Sequence, residues 1–269
     1  MPNKKFTLIT GASTGLGKQL AIECAKLGRN LILTALPDEQ IAELGDKISS
    51  DYRIRVQTYE TDLTEEGAVK KIGKKISEKF EINMLINNAG VGGTKPFLEA
   101  TTEYIDQIVL LNIRAIVLLT RLLLPNLKKQ KKAYILNIAS MASFGPMPFK
   151  TVYPASKAFV YSFSRGLGAE LKGSGIVVSV AHPGAMKTNA EVSRRIEKHS
   201  RIIQTTTLSA EKVAQICIRQ LLKNDELIIP GIMNKVSWVL LKIIPVWLRL
   251  IIMRSSLQNE LKEYNLNYS

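Results

Sequence analysis

Tyr153 and Lys157 stand four residues apart, and Ser140 lies thirteen residues before the tyrosine. Positions four apart on a helix share one face, so a helix starting near Tyr153 projects phenol and ammonium together. The stretch before them, Ala133 to Ala158, reads AYILNIASMASFGPMPFKTVYPASKA. Its apolar run Tyr134 to Ala139 predicts a buried strand, and Gly145, Pro146 and Pro148 break the loop that follows. A strand ending at Ser140 could bring that hydroxyl to the pair. A free phenol titrates at about 10, and a neighbouring ammonium favours the phenolate and lowers that value. Reaching about 7 takes roughly 4 kcal/mol, which one partly desolvated lysine beside a cationic cofactor could supply. Ser140 would then hold a substrate oxygen against the tyrosine. Alone the pair is a weak motif, because with 8 tyrosines and 37 Lys plus Arg one such spacing arises about once by chance. A half-exposed helix face is the plainer explanation of it.

The elements around the trio raise its weight. Phe6 to Thr10 predicts a short strand running into Gly11-Ala12-Ser13-Thr14-Gly15-Leu16-Gly17 and then a helix from Lys18 to Leu27. A glycine-rich turn between strand and helix presents backbone N–H groups to a pyrophosphate. The spacing is G-x3-G-x-G, and an ordinary glycine-rich turn is the alternative. Asn30 to Ala35 is the second strand; Pro37 breaks it, and Asp38 is placed to cap a helix to about Ser50. In dinucleotide folds an acid after this strand takes the ribose 2′-hydroxyl and an arginine the 2′-phosphate. Thr34-Ala35-Leu36 offers neither. The missing carboxylate argues against strict NAD use, and the net charge leans toward NADP(H).

Arg55 to Glu60 is a third strand, followed by Asp62 and Leu63, with Thr64 as N-cap of a helix ending near Phe80. Asp62 suits either an adenine amino group or a helix cap. Ile82 to Ile86 is the fourth strand, closed by Asn87-Asn88-Ala89-Gly90 and Val91-Gly92-Gly93, which reads as a tight loop against a flat ligand or as a plain turn. A helical region from about Thr101 to Lys129, interrupted near its ends, carries the lone amide Asn112 in an apolar run; a buried amide must be satisfied. Ile176 to Ala181 and Leu227 to Ile229 are the last two strands. This alternation predicts an α/β fold, a Rossmann-type doubly wound seven-stranded parallel sheet with helices on both faces and a ligand at the carboxyl ends of the strands.

The 269 residues, 46% hydrophobic and 22% charged, suffice for one well-cored domain. The charge, 37 − 23 = +14, favours anionic partners: cofactor phosphates or a lipid surface. Nucleic acid and metal are not expected, since neither a nucleic-acid motif nor metal-ligand spacing is present. Cys24 and Cys217 sit in predicted helices and read as buried thiols. The N-terminus enters a strand at once, without signal or transit character, so a cytoplasmic location, with membrane association open, is expected.

Residues 1–231 read as one dinucleotide-binding domain, and 232–269 as a helical extension of it. Glu191 to Ser200 is polar and cationic and suits a lid; Ser209 caps a helix to about Lys223. Ile232 to Met253 is mostly apolar with Trp238 and Trp247, while Lys235, Lys242 and Arg249 recur every seventh residue and Pro245 interrupts. Three cations make it a poor transmembrane candidate. It suits a pocket-closing helix pair, a dimer contact or an interfacial helix, and each implies an apolar substrate. The tail from Ser255 reads as polar and frayed. A homodimer or homotetramer is the expected assembly.

Four motifs in order resemble the short-chain dehydrogenase/reductase family: Thr10 to Gly17, Asn87 to Gly90, Ser140 with Tyr153-Pro-Ala-Ser-Lys157, and His182-Pro183-Gly184 with Thr188. The resemblance covers residues 5 to about 230. It implies an NAD(P)-dependent oxidoreductase interconverting a small-molecule carbonyl and its alcohol. Tyr153 would be general acid/base, Lys157 would lower its pKa and bind the nicotinamide ribose, Ser140 would orient the substrate, and Asn112 would hold a relay water. Cofactor contacts would fall to Gly11, Ser13, Thr14, Gly15, Leu16, Gly17, Asp62, Leu63, Asn88, Ala89, Gly90, Tyr153, Lys157, Pro183, Gly184 and Thr188. Departures are the strand-two end, with neither acid nor arginine, and Pro154, which the first helical turn tolerates. A non-catalytic nucleotide-binding regulator on the same fold is the competing class.

Overall fold

The computed structural model describes residues 4–187 and 207–266. In chain order the elements are β1 Lys5–Thr10, α1 Gly15–Lys26, β2 Asn30–Ala35, α2 Ile41–Tyr52, β3 Val56–Glu60, α3 Ala68–Lys79 and β4 Glu81–Asn87. Then come α4 Thr102–Val109, a π-helical turn Leu110–Ala115, α5 Ile116–Lys128, β5 Ala133–Ile138, α6 Val152–Glu170 and β6 Ile176–Ala181. The remainder is β7 Met186–Lys187, β8 Leu208–Ser209, α7 Ala210–Leu222, β9 Leu227–Ile228, α8 Ile232–Ile243 and α9 Val246–Leu266.

Seven strands form one sheet in the order β3-β2-β1-β4-β5-β6-β9, every pairing parallel. Both faces are covered, so the strands are continuous apolar runs rather than alternating ones; β2 and β5 are buried at every position. Successive side chains still go to opposite faces. Ile9, Leu33, Ile86 and Leu136 pack with Leu20 and Cys24 of α1 and Val213 and Cys217 of α7. Leu8, Ile32, Leu85 and Ile135 pack with Ile72 and Ile76 of α3 and Leu119 and Leu123 of α5. Both cysteines are buried free thiols, and burial pushes each up to about 12. They are core side chains.

The strand order reverses between β1 and β4, and in open parallel sheets ligands bind at the strand carboxyl ends beside that reversal. The loops after β1 and β4 meet there. Among the described residues one helix, 102–128, whose most apolar 18 residues have a mean hydropathy of 2.0, is long and apolar enough to cross a membrane. Its buried side chains, Leu119, Leu123 and Leu127 among them, belong to the core.

Several local expectations change. Asp38 does not cap α2: the helix starts after Gln40, and both residues are left-handed, at φ 64° and 50°. Thr64 does not cap α3, which begins at Ala68 behind a left-handed Gly67. Instead Thr64 donates its N–H and hydroxyl to Asp62 Oδ1, at 2.8 and 2.7 Å. The long apolar helix runs unbroken from 102 to 128, with a π turn at its centre that carries Asn112, rather than being interrupted near its ends. The polar tail is helical as far as Leu266. Ser209 does cap α7, its Oγ accepting from Lys212 N at 3.2 Å. Glu191 to Ser200 and Thr188 lie outside the described residues.

Candidate active site

The glycine turn and the fourth-strand loop are stapled together. Asn88 Nδ2 donates to the carbonyls of Thr10 and Gly11, at 3.0 and 2.9 Å. Thr10 Oγ1 accepts from the N–H groups of Asn88 and Ala89, both at 3.0 Å. Gly17 permits this approach: a Cβ there would fall 1.9 Å from the Gly11 carbonyl oxygen. Gly11 itself is left-handed, at φ 62°, a region a side chain would strain. Between the two loops runs a cleft of about 360 Å³, within the size range of small-molecule sites.

Every residue from Ser13 to Gly17 lines this cleft, with Gly11, Asp62, Leu63, Asn88, Ala89 and Gly90. Its wall also holds Thr34, Leu36 and Glu39. The cradle of glycines at the N-terminus of α1 fits a dinucleotide pyrophosphate. Glu39 was not anticipated. It lies beyond the strand end, and only the left-handed turn at Asp38 and Gln40 brings it back, so that its Oε2 accepts from Ser13 Oγ at 2.6 Å.

The catalytic candidates meet beyond Gly90. Ser140 and Tyr153 stand together, the serine hydroxyl close enough to act on the phenol, and Ser140 Oγ accepts from Ala142 N at 3.1 Å. Lys157, 4% exposed, points its Nζ at the Ile138 carbonyl at 3.0 Å, and that nitrogen is 5.9 Å from the Tyr153 ring centroid. Burial dominates the electrostatics. It pushes the Tyr153 phenol above its usual value, and the Ser140 hydrogen bond opposes this. Burial also lowers Lys157 from 10.5 to about 8. The expected lowering of the phenol is therefore not the balance seen here. Two glycines admit the pair: a Cβ on Gly92 would lie 2.4 Å from Tyr153 Cδ2, and one on Gly90 would lie 3.1 Å from Lys157 Nζ. Pro154 sits in the first turn of α6.

Asn112 is fully buried with its side chain spoken for. Oδ1 accepts from Val91 N at 2.9 Å, and Nδ2 donates to the Val91 carbonyl at 2.8 Å and to Ser156 Oγ at 3.0 Å. It ties the π turn to the loop after β4 and to α6. Behind Ser140 lies a second device unforeseen from the sequence. The Ser140 carbonyl accepts from Ser143 Oγ at 2.6 Å and lies 3.0 Å from His182 Nδ1. His182 is fully buried and stacks on Phe144, at 4.4 Å between centroids. Burial, with the Lys157 charge, takes it from 6.5 to about 4 against the Ser140 bond, so it is neutral, and the same Nδ1 lies 2.7 Å from Ser143 Oγ. Pro183 joins this floor, its carbonyl accepting from Met141 N at 3.0 Å, and Gly184 lies against Asn234 of α8. Neither lines the cleft. Among the described residues no group of His, Cys, Asp and Glu could hold a metal.

The fold agrees with what comparison finds: the short chain dehydrogenase profile matches residues 5–199, and the chain belongs to that family. It is 34% identical over 195 residues to very-long-chain 3-oxoacyl-CoA reductase-B of Danio rerio, covering 71% of this chain and 62% of that one. Sulfoacetaldehyde reductase 2 of Chromohalobacter salexigens is 34% identical over 218 residues, 78% of this chain and 86% of that one. The match spans about three fifths of the length of the very-long-chain reductases. Among solved structures, a short-chain dehydrogenase of Sphingobium yanoikuyae in complex with NADPH superposes with a TM-score of 0.78 at 28% identity, over 88% of this chain and 92% of that one.

Proposed function

We propose that this chain is a carbonyl reductase, in reverse an alcohol dehydrogenase, acting on an apolar ketone or aldehyde. The observation that carries the reading is the buried Lys157, its Nζ held at 3.0 Å by the Ile138 carbonyl and 5.9 Å from the Tyr153 ring centroid on the same helix face, with Ser140 beside the phenol. The bound nicotinamide supplies the hydride or takes it up. Tyr153 gives its proton to the carbonyl oxygen as the alcohol forms. Lys157, anchored on the Ile138 carbonyl, favours the phenolate left behind. Ser140 orients the oxygen. Asn112 acts by position: both hydrogens of its amide are committed, so holding a relay water falls to main-chain groups of the π turn.

An apolar substrate is supported by the apolar segment 232–253, which reaches the loop after Ser140 where Trp238 lies near Phe144 and Arg249 Nη1 donates to the Phe144 carbonyl; the hollow beside Tyr153 is only about 10 Å³ and mixes Phe97 and Ile108 with Lys95 and Lys150. The test is cofactor oxidation with 2-ketones of increasing chain length. Each methylene buried against the apolar segment adds ~0.8 kcal/mol, so kcat/KM rises about fourfold per carbon until that surface is covered. No turnover of any carbonyl, or a preference for the shortest, contradicts the reading.

The same reading includes a peripheral contact of α8 and α9 with an anionic lipid surface. No acid occurs between Glu226 and Glu260, while Lys235, Lys242, Arg249 and Arg254 do. Ile232, Ile243, Trp247 and Ile251 are 81%, 72%, 64% and 62% exposed. An apolar face with cations and an exposed tryptophan suits the headgroup region. Arg249 is the exception, since its Nη1 donates to the Phe144 carbonyl at 2.9 Å. Cosedimentation with phosphatidylglycerol vesicles should be lost in Trp247→Ser with Ile251→Ser; unchanged binding excludes this contact.

A further inference from the structure

The solved relatives include complexes with NADPH and NADP, and the choice between the phosphorylated and the plain dinucleotide falls to this chain's own ribose end. The inference rests on the glycine cleft being the dinucleotide site. In a βαβ nucleotide unit the end of the second strand faces the adenosine ribose, and the side chain there decides what the 2′ position carries. Here Thr34, Ala35 and Leu36 line that end. Leu36 supplies no charge. Glu39 does: it lines the same cleft and its carboxylate is held against the glycine turn by Ser13 Oγ at 2.6 Å.

We infer that Glu39 selects NAD(H) over NADP(H) by accepting hydrogen bonds from the ribose hydroxyls. A 2′-phosphate is dianionic or close to it at neutral pH and calls for a cation. Among the described residues lining the cleft there is no lysine, arginine or histidine, while two are carboxylates, Glu39 and Asp62. Asp62 Oδ1 is committed to Thr64. The chain's surplus of cations therefore does not reach the wall where a 2′-phosphate would sit. A phosphate on that wall would also compete with Glu39 for the Ser13 hydroxyl, whereas a ribose hydroxyl donates to the carboxylate as it stands. The selector escapes a reading of the strand end because it lies four residues past Ala35.

The experiment is equilibrium binding of NADH and NADPH to the full chain by isothermal titration, without a carbonyl substrate. The expected result is a Kd for NADH at least tenfold below that for NADPH. Glu39→Gln should narrow that ratio to within about threefold, chiefly by improving NADPH binding. Leu36→Arg, on an exposed position, should improve NADPH by tenfold or more, which keeps the test sound if Glu39→Gln disturbs the turn. Equal or tighter NADPH binding by the unaltered chain overturns the selection and leaves the cleft reading intact. Binding of neither dinucleotide overturns both.

Discussion

Gly92 lies against the ring of Tyr153 so closely that a Cβ would stand 2.4 Å from Cδ2 and 2.7 Å from Cε2. The loop after β4 thus forms one wall of the slot that holds the phenol. Gly92→Ala must push the ring out or move the loop. We expect kcat to fall at least a hundredfold, because a displacement of about 1 Å costs that much at a reacting centre. Dinucleotide affinity should change less than threefold, since Gly92 does not line the cofactor cleft. Paired titration and steady-state kinetics check this.

Asn112 holds both the N–H and the carbonyl of Val91, and Ser156 besides. Asn112→Ala leaves the Val91 N–H and carbonyl without partners beside a fully buried position, while Ser156 Oγ keeps its bond to the Tyr153 carbonyl. Each unsatisfied buried group costs about 1–3 kcal/mol, so denaturant unfolding should show a loss of about 2–4 kcal/mol. Because the π turn and α6 share this tie, activity should fall as well.

His182 predicts acid sensitivity. The unfolded side chain takes up a proton near pH 6.5, whereas the folded one, held neutral by burial, does so only near 4. Between those values the unfolded state binds more protons, so stability falls as pH falls through the window. The loss reaches roughly 3 kcal/mol by pH 4. Melting temperature against pH should slope across this range, and His182→Gln should remove most of the slope whatever it does to the midpoint.

Lys157 makes a prediction in which activity and stability move oppositely. Burial lowers it to about 8, so the ammonium is lost as pH rises through that value. If the ammonium supports the phenolate, carbonyl reduction falls above about pH 8. Over the same rise, from about 8 toward 10.5, the unfolded lysine still carries its proton and the folded one does not. Its contribution to stability therefore increases with pH. A kcat profile and a denaturation series on one preparation separate the two effects.

The sheet was legible because strands buried on both faces are continuous apolar runs, and punctuation by Gly, Pro and Asn set their ends to within a residue or two. The glycine cradle and the spacing of Ser140, Tyr153 and Lys157 were legible for a similar reason, since local helix and turn geometry fixes where they project. What depended on chain reversal was not. Glu39 reaches the cleft through left-handed backbone at Asp38 and Gln40, and although Pro37-Asp38 signals a turn, it does not say where the next side chain points. His182 reads only as the first residue of the His-Pro-Gly motif until β5 and β6 are set side by side and its imidazole meets the Ser140 carbonyl. The π turn at Asn112 answers to Val91 and Ser156, partners 21 and 44 residues away. Tertiary hydrogen bonding decided each of these.

The central claim is that Tyr153 passes the proton during hydride transfer. Its most direct test is Tyr153→Phe, with single-turnover reduction of a ketone by saturating bound cofactor and dinucleotide Kd measured alongside. General acid catalysis contributes about 10²–10⁴-fold, so the hydride-transfer rate should fall by at least a hundredfold while Kd stays within about twofold. A rate within a few-fold of the unaltered chain, at equal cofactor occupancy, contradicts the account.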